Sequence, residues 1–341
     1  MSNPTPDRIM QLATGCWPSK CILAGNDLGL FALLGSDQAL TAESIREHLG
    51  LHPRGIYDWL DALVSFGVLE RDGDGPVATY RNSEEAALFL DRNSPAAVSG
   101  FLSMFNARIY GMWGDLEDGL RTGEPQNEIK HTGKVIFEEL YEDPAKLRQF
   151  MEAMKGLHYG PMRAFAEKFD FKPYQTMCDV GGALGVLAIT VAEQHEHLQI
   201  QSFDLPPVEP LAAEEIAKAG LRERVTAVSG DFFKNPLPKV DLITMGQILH
   251  DWDLPNKQHL IKAAYDALPE GGAFVVMESL IDDARRENTF GLLLSLHMMM
   301  EFGGAFDYTH ADFNGWCLEA GFKRTEAFHL AGPMSAAVAY K

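Results

Sequence analysis

The residues best suited to chemistry begin with a glycine turn in the second half of the chain. Asp179-Val-Gly-Gly ends an apolar, strand-like run, and a helix-like run starts at Leu184. A second strand-like run stops at Asp204, about twenty residues after the glycines, where an acid at a strand tip can hydrogen-bond a ribose. Strand, glycine turn, helix and acid-terminated strand predict the first half of a nucleotide-binding βαβ unit.

The acid inside this turn distinguishes two classes of cofactor. Dinucleotide-binding turns need the third glycine of GxGxxG and a helix N-terminus aimed at a pyrophosphate. Asp179 lies two residues before the first of these glycines, and its negative charge would repel a diphosphate and attract a cation. S-adenosylmethionine carries an ammonium, a sulfonium and a ribose, and it carries no phosphate. The turn therefore favours S-adenosylmethionine as the cofactor.

The bulk composition excludes several classes of protein. At 341 residues and 46% hydrophobic content, the chain can bury a full core and is expected to form two domains with a helical connector. A net charge of −19 argues against a nucleic-acid partner, because phosphate contacts need an excess of Lys and Arg. The four cysteines are scattered, so neither a disulfide scaffold nor a zinc knuckle is indicated.

Hydropathy gives an expectation for location. The sequence has no apolar run of the roughly 18 residues that a membrane span needs. Its N-terminus, MSNPTPDRIMQ, lacks the charged-then-apolar pattern of a signal peptide. We therefore expect a soluble, cytoplasmic protein with no membrane association.

Residues 1–95 are predicted to form a winged-helix domain. They show a helix over 8–35, a helix with Thr41 as its N-cap, a further helix from Ile56 and a charged hairpin from Glu70. Where a DNA reader would show Arg and Lys, the helix from Ile56 carries Tyr57, Asp58, Trp59 and Asp61. This favours a dimerisation and substrate-lid module. A homodimer is expected because one small domain cannot bury all of the apolar residues Leu28, Leu30, Phe31 and Leu34.

The rest of the chain is predicted to hold a helical connector, 96–165, and a cofactor-binding domain, 166–341. The connector is rich in Met and aromatic residues, some of which are expected to line a substrate cavity. Strands and helices alternate after Tyr174, which predicts a parallel sheet with helices on both faces. The predicted strands, the last two an antiparallel edge pair, are Met177–Val180, Ile200–Phe203, Val225–Val228, Val240–Met245, Ala273–Glu278, Lys323–His329 and Ala336–Tyr340.

Five motifs in order carry a family resemblance. They are DVGGxxG, FDLP, GDFF, ILHDW and a late AGF. In this order and spacing they resemble the plant-type O-methyltransferase family, which includes caffeate, hydroxyindole and bacterial antibiotic-tailoring enzymes. The resemblance covers nearly the whole chain and implies an α/β fold: a Rossmann-like class I methyltransferase sheet with an N-terminal, mostly helical winged-helix dimerisation domain. It implies a small-molecule methyltransferase that uses S-adenosylmethionine.

The resemblance also implies the cofactor contacts. Asp179, Gly181 and Gly182 match the loop whose backbone approaches the methionine moiety. Asp204 matches the acid that accepts both ribose hydroxyls. In the GDFF motif, the pair that holds adenine is matched by Asp231 and Phe232.

The resemblance implies a general base as well. His250 matches that base, at the carboxyl end of a strand, where open α/β folds bind ligands. A neutral imidazole can take a proton from a hydroxyl as the oxygen attacks the methyl group. Glu278 matches the acid that orients the base. Asp251 is predicted either to share that role or to cap the helix that begins near Asp253.

The chain departs from the family pattern in places that concern the acceptor. Ala183 stands where the family turn has a third glycine, and Asp307 replaces the second supporting glutamate. His297 occupies a place where relatives commonly have Asn or Asp facing the substrate. With it, the residues predicted for the substrate pocket are Tyr141, Met151, Met154, His297 and Met300.

The leading interpretation is O-methylation of a small molecule, and three alternatives remain. The first is S-methylation of a thiol or thioether acid of the 4-methylthio-2-hydroxybutyrate type, on the dimethylsulfoniopropionate route. A thioether needs no base, and Met298–Met300 suits a soft, apolar substrate. The second is C-methylation of a 2-oxo acid on a metal held by His250, Asp251 and His297. Adjacent His and Asp rarely ligate one ion together, so no metal site is assigned. The third is a winged-helix regulator that senses S-adenosylmethionine. The acidic helix from Ile56 and the His250–Glu278 pair both argue against this alternative.

Overall fold

The structure, a computed structural model, describes residues 4–35, 38–94, 96–132 and 144–341. The chain divides into two compact units, Met1–Gly111 and Met112–Lys341. The helices of the predicted connector are thus shared between the two units, and the boundaries at 95 and 165 stay predictions. Among the described residues, no helix is long and apolar enough to cross a membrane.

The first unit combines helices with a small antiparallel sheet in the order β1-β3-β2. The strands are β1 Leu40–Thr41, β2 Leu69–Asp72 and β3 Thr79–Asn82. The helices are α1 Asp7–Ala13, α2 Cys16–Leu28, α3 Leu30–Leu33, α4 Ala42–Leu49, α5 Ile56–Ser65, α6 Glu84–Phe89 and α7 Ser99–Met104, followed by a π-helical turn at Phe105–Ile109 and by α8 Tyr110–Met112 at the unit boundary.

Local sequence rules explain how these helices begin and end. Thr41 caps α4 as predicted, since its hydroxyl accepts the backbone N–H of Ser44 at 3.3 Å. The single helix predicted over 8–35 is wrong. It is interrupted at Thr14, and it is interrupted again at Gly29, whose φ of 81° is a left-handed conformation that suits glycine.

The apolar residues predicted to form a dimer face are mostly core residues of this unit. Leu30, Phe31 and Leu34 are at most 1% exposed and pack against α4 and α5. The prediction that one domain cannot bury them is therefore wrong for these three residues, whereas Leu28, the fourth residue of the set, is 44% exposed. On α1 and at the start of α2, four large apolar side chains are open to solvent, namely Ile9, Met10, Leu12 and Trp17.

The second unit is built on a seven-stranded sheet in the order β6-β5-β4-β7-β8-β10-β9. Its strands are β4 Thr176–Val180, β5 Gln199–Asp204, β6 Val225–Ser229, β7 Leu242–Gly246, β8 Ala273–Glu278, β9 Arg324–Ala331 and β10 Met334–Tyr340. Its helices are α9 Leu116–Thr122, α10 Ile129–Thr132, α11 Pro144–Lys168, α12 Val186–Gln194, α13 Glu209–Lys218, α14 Leu254–Ala267, α15 Thr289–Phe302 and α16 His310–Ala320; single 3-10 turns lie at Trp113–Asp115 and Leu249–Asp251.

The sheet confirms the predicted strands and the Rossmann-like class. Five neighbouring strands, β6, β5, β4, β7 and β8, are parallel to one another. The strands β10 and β9 add the predicted antiparallel pair at the edge of the sheet. Side chains alternate between two apolar layers, so that Met177 packs on one face while Cys178 and Val180 pack on the other. The chain order reverses between β4 and β7, and the carboxyl ends of these strands form the crevice in which such sheets bind ligands.

Candidate active site

The turn after β4 brings backbone into places that a side chain would fill. Gly181 has a φ of 72°, and a Cβ there would lie 2.2 Å from the Cδ1 of Ile248. A Cβ on Gly182 would lie 2.3 Å from the hydroxyl oxygen of Ser202. Both positions therefore require glycine. No Lys or Arg occurs between Gly181 and Gly185, so the turn offers no basic side chain to a phosphate.

Asp204 ends β5 directly opposite this turn. Its Oδ2 accepts the backbone N–H of Ala183 at 2.8 Å, and its Oδ1 accepts that of Leu205 at 2.7 Å. Burial raises the pKa of Asp204, while these two hydrogen bonds act in the opposite direction. Each oxygen can accept more than one hydrogen bond, so the carboxylate is fixed in place and can still bind a diol. Ala183 stands at a φ of 48°, a strained conformation for a residue with a Cβ.

Asp179 is buried at the end of β4, beneath the turn. Its Oδ1 accepts the hydroxyl of Thr244 at 2.8 Å. Burial raises the pKa of Asp179 to about 7, although this hydrogen bond acts to lower it. The predicted acid thus supports the turn from below and keeps a carboxyl close to it.

Asp231 and Phe232 follow β6 at the same edge of the sheet. The Oδ1 of Asp231 accepts the backbone N–H of Phe233 at 2.9 Å, and its Oδ2 pairs with Lys234 at 2.8 Å. The ring of Phe232 meets that of Trp252 edge-on, with centroids 6.0 Å apart. The edge between β5 and β6 therefore offers a partly exposed carboxylate next to an aromatic surface.

The turn that carries His250 is held by Glu278, and this corrects a predicted role. The Oε1 of Glu278 accepts the backbone N–H groups of Ile248 and His250, each at 3.2 Å. Glu278 therefore fixes the backbone of the turn and does not orient the imidazole directly. Asp253, and not Asp251, caps the following helix by accepting the backbone N–H of Asn256.

The imidazole of His250 lies between two other carboxylates. Its Nδ1 is 3.4 Å from the Oδ1 of Asp307, and its Nε2 is 3.3 Å from the Oδ1 of Asp251. These approaches are long for hydrogen bonds, so the attraction is mainly ionic. Burial alone would lower the pKa of His250, but Asp251, Asp307 and Glu278 together raise it to about 10. Burial raises the pKa of Asp251 to about 6, against the effect of His250.

The base-bearing turn and the glycine turn touch each other. Ile248 lies two residues before His250, and its side chain occupies the space that a Cβ on Gly181 would need. Gln247 lies between the end of β7 and Ile248. It has a φ of 56° and donates its backbone N–H to the carbonyl of Met277 at 3.1 Å. Such strain in a non-glycine residue is typical of functional sites.

Sequence reasoning missed two further members of this cluster. His158, on α11, is half-buried and hydrogen-bonds to Gln247, and burial followed by the charge of His250 lowers its pKa to about 4. Lys257, on α14, is fully buried beneath the turn. The only signal for His158 was its place in the Met-rich helix, and Lys257 had none.

The residues predicted for a substrate pocket have diverse surroundings. Tyr141 lies outside the described residues. Met151 is 6% exposed and packs with Leu147, Leu184, Val186 and Val208, whereas Met154 is only partly buried. Met300 is fully buried against α9, where a Cβ on Gly119 would meet its sulfur.

His297 is paired along its own helix. Its Nε2 lies 3.5 Å from the Oε1 of Glu301, whose Oε2 accepts the side-chain amide of Asn127 at 2.7 Å. Within the described ranges, no three His, Cys, Asp or Glu residues are grouped so that they could hold a metal ion. The set of His250, Asp251 and His297 considered for C-methylation is therefore not assembled.

Comparison with known proteins identifies the family. The model of the O-methyltransferase domain matches residues 113–323, and that of the O-methyltransferase dimerisation domain matches residues 10–92. The chain is 36% identical to the tetracenomycin polyketide synthesis 8-O-methyl transferase TcmO of Streptomyces glaucescens, over 98% of this chain and 97% of that protein. It is 34% identical to the N,N-dimethyltransferase OxyT of Streptomyces rimosus, over 94% of this chain and 91% of that protein.

A solved structure agrees with this result. Human N-acetylserotonin methyltransferase in complex with S-adenosylmethionine superimposes with a TM-score of 0.89 at 28% identity, over 100% of this chain and 99% of that one. The glycine turn without basic residues and the fixed carboxylate of Asp204 fit the same cofactor. The chain therefore belongs to the O-methyltransferase family, and it is an S-adenosylmethionine-dependent methyltransferase.

Proposed function

We propose that this enzyme methylates a hydroxyl group of a small aromatic molecule of the polyketide type, with His250 as the general base. The observation that carries the proposal is the buried imidazole between Asp307 and Asp251, on a turn that touches the glycine turn. The identity with a polyketide 8-O-methyltransferase over nearly the whole chain supports the acceptor class.

We infer that the cofactor is held by the residues at the carboxyl ends of the first three parallel strands. When bound, S-adenosylmethionine supplies a methyl group on a positively charged sulfur. Gly181 and Gly182 allow the cofactor to approach the backbone closely, and Asp204 accepts hydrogen bonds from the ribose hydroxyls. Asp231 and Phe232 bind the adenine. Ile248 joins this set to the base, because its side chain packs on Gly181.

The two sides of the imidazole differ in exposure, which assigns their roles. Nδ1 faces Asp307, whose side chain is 1% exposed, whereas Nε2 faces Asp251, whose side chain is 24% exposed. The acceptor hydroxyl therefore reaches His250 from the side of Nε2. Asp307 keeps the proton on Nδ1, and this leaves Nε2 to accept the proton of the acceptor.

The charges around His250 predict an unusual pH dependence. A general base works only when neutral, so the rate rises with pH and levels off above the pKa of the imidazole. Because the carboxylates raise that pKa, we expect the acid limb of the pH–rate profile to lie on the alkaline side of pH 7. Asp307→Asn removes one of these charges and lowers the pKa, so the limb is expected to move to lower pH by about one unit or more.

The measurement is the maximal rate from about pH 6 to about pH 11, a range that extends past the raised pKa of His250, with both substrates saturating. Asp266→Asn is the matched control, because Asp266 is a largely exposed acid of the same unit, and its limb is expected to stay in place. An unmoved limb in Asp307→Asn would show that Asp307 does not act on the base.

The acceptor itself is tested with a panel of small molecules. Radiolabelled S-adenosylmethionine is offered with aromatic polyketide phenols, aromatic amines and thioether acids, and the methylated atom is located by mass spectrometry and NMR. We expect label on a phenolic oxygen. Transfer to amines alone would move the assignment toward the activity named for OxyT, and transfer to thioethers alone would remove the need for His250.

We propose further that the enzyme is a homodimer formed by its first unit. The helix α1 has no buried residue, and Ile9, Leu12 and Trp17 are 70%, 74% and 69% exposed. Apolar side chains clustered in this way are typical of a protein–protein interface. The match of residues 10–92 to a dimerisation domain supports the same conclusion.

Charges placed on this face are expected to separate the subunits. The double variant Leu12→Asp, Trp17→Asp would bury unpaired charge in the interface, so we expect light scattering at micromolar concentration to give a monomer. Leu318→Asp, at a 47% exposed position in the second unit, is expected to remain a dimer. A double variant that keeps the dimeric mass would place the interface elsewhere.

A further inference from the structure

The open side of the imidazole of His250 is bordered by a carboxylate. Its Nε2 lies 3.3 Å from the Oδ1 of Asp251, whose side chain is 24% exposed. The other two acids at the base, Asp307 and Glu278, are closed off from solvent. An acceptor hydroxyl that reaches Nε2 therefore lies beside the carboxylate of Asp251.

The second oxygen of Asp251 is available to a ligand. Among the residues that the structure describes, none donates a hydrogen bond to this Oδ2, and the helix that follows is capped by Asp253 instead. An ionised carboxylate only accepts hydrogen bonds, and it has about four sites for them. Because a partly buried carboxylate without donors is unfavourable, a donor on the acceptor molecule would stabilise it.

The carboxylates at the base have no accessible cation beside them in the described part of the second unit. Neither Asp251 nor Asp307 is paired there with a Lys or Arg. Lys257 lies nearby, but its side chain is 0% exposed and its Nζ donates a hydrogen bond to the carbonyl of Trp252. This ammonium therefore cannot reach an acceptor.

The two helices near the turn add no cation as far as their side chains are described. Ser295, on α15, accepts the backbone N–H of Asp307 at 3.2 Å, and this helix contains no Lys or Arg. On α11, His158 is neutral because burial lowers its pKa to about 4. The described basic side chains of α11 have other partners: Arg148 and Lys155 pair with acids of α13, Arg163 pairs with Glu167, and Lys168 donates to backbone carbonyls.

This distribution of charge discriminates between acceptors by the group next to the reacting hydroxyl. A neighbouring O–H can donate to Asp251 while the reacting hydroxyl faces Nε2 of His250, and a hydrogen bond to an ionised acceptor is a strong one. A neighbouring carboxylate would instead place a second negative charge against Asp251. Like charges this close repel strongly at a partly buried site when no cation offsets them.

We propose that Asp251 is a specificity-determining residue, which selects acceptors with a hydrogen-bond donor beside the reacting hydroxyl and rejects acceptors with a carboxylate there. The inference rests on the proposed methylation of an aromatic hydroxyl at His250. It narrows the acceptor to phenols that carry a second hydroxyl in the ortho or peri position.

The test uses four probes with one ring system: 2-naphthol, 2,3-dihydroxynaphthalene, 3-hydroxy-2-naphthoic acid and the methyl ester of that acid. The kcat/KM for transfer of a labelled methyl group to the phenolic oxygen is measured at pH 8, where Asp251 is ionised because its pKa is about 6. We expect the wild type to prefer the diol to 2-naphthol by about 10- to 100-fold. We expect it to prefer the ester to the acid by about 100-fold or more.

Comparing these two ratios between variants removes differences in the intrinsic reactivity of the probes and in the state of the base. Asp251→Asn removes the charge, and its amide can also donate to a carboxylate, so both ratios are expected to fall by about tenfold or more. Asp251→Glu keeps the charge and is expected to keep the preference for the ester over the acid. The control is Asp266→Asn, at a largely exposed acid, and it is expected to keep both ratios.

Two results would overturn the inference and leave the hydroxyl acceptor in place. They are ratios that are the same in Asp251→Asn as in the wild type, and a wild type that prefers the acid to the ester. If Asp251→Asn does not fold, the order of the four probes in the wild type decides alone. Label found only on the amines or thioethers of the acceptor panel would instead refute the proposed function, which separates its failure from the failure of this inference.

Discussion

Replacing His250 with alanine is expected to lower the rate of methyl transfer to a hydroxyl by about 10²–10⁴, the usual contribution of a general base. The imidazole is buried between Asp307 and Asp251, on a turn that contacts the glycine turn. The affinity for S-adenosylmethionine, measured by calorimetry, is expected to change little.

The same variant separates the classes of acceptor. A thioether sulfur loses no proton when it is methylated, so a thioether substrate would show less than about a tenfold loss in His250→Ala and a flat pH–rate profile. His259→Ala is a suitable control, because this histidine lies on the exposed side of α14. A small loss of rate in His250→Ala together with a flat pH–rate profile would identify sulfur as the accepting atom.

Removing the carboxylate of Asp204 is expected to cost about 2–4 kcal/mol of cofactor affinity, or about a 30- to 900-fold higher Kd. Asp204→Ala removes the acceptor for the ribose hydroxyls and also frees the backbone N–H of Ala183, which Asp204 holds at 2.8 Å. Calorimetry with S-adenosylhomocysteine measures the change without turnover.

A graded variant separates the two effects of this substitution. Asp204→Asn retains one oxygen for the backbone and loses the negative charge, so its Kd is expected to lie between those of the wild type and Asp204→Ala. Thermal unfolding without ligand reports any loss of stability. An unchanged Kd in Asp204→Ala would place the ribose at another residue.

The fold followed closely from the sequence because its signals are local. Parallel strands buried on both faces appear as short apolar runs, and the run at 273–278 matches the observed β8 residue for residue. The glycine turn was equally readable, since Gly181 and Gly182 have no room for a side chain.

The site was harder to read because contacts between side chains depend on direction as well as on position. Glu278 was correctly placed at a strand end, but nothing in the sequence shows that its Oε1 reaches two backbone N–H groups and not the imidazole. Asp307, predicted as a secondary support, faces Nδ1. Lys257 was missed because a lysine in a helical pattern normally indicates a solvated face.

Periodicity also failed to identify which partner covers an apolar face. Leu30, Phe31 and Leu34 carry the spacing of a face that needs burial, and their own unit buries them. The short helix α1 leaves Ile9 and Leu12 exposed. A pattern shows that a face is apolar, and only the folded neighbours show whether it is already covered.

The contact between Gly181 and Ile248 has a consequence for how this enzyme can diverge. Any side chain at 181 would overlap the Ile248 methyl at 2.2 Å, so a substitution there needs a smaller residue at 248 in addition to a backbone that accepts a side chain at a φ of 72°. Effects of changes at the two positions are therefore expected to be strongly non-additive. A homologue that changes the glycine turn at 181 is therefore expected to change the turn that carries His250 as well. The part of the site that holds the methyl donor and the part that carries the base are expected to evolve together.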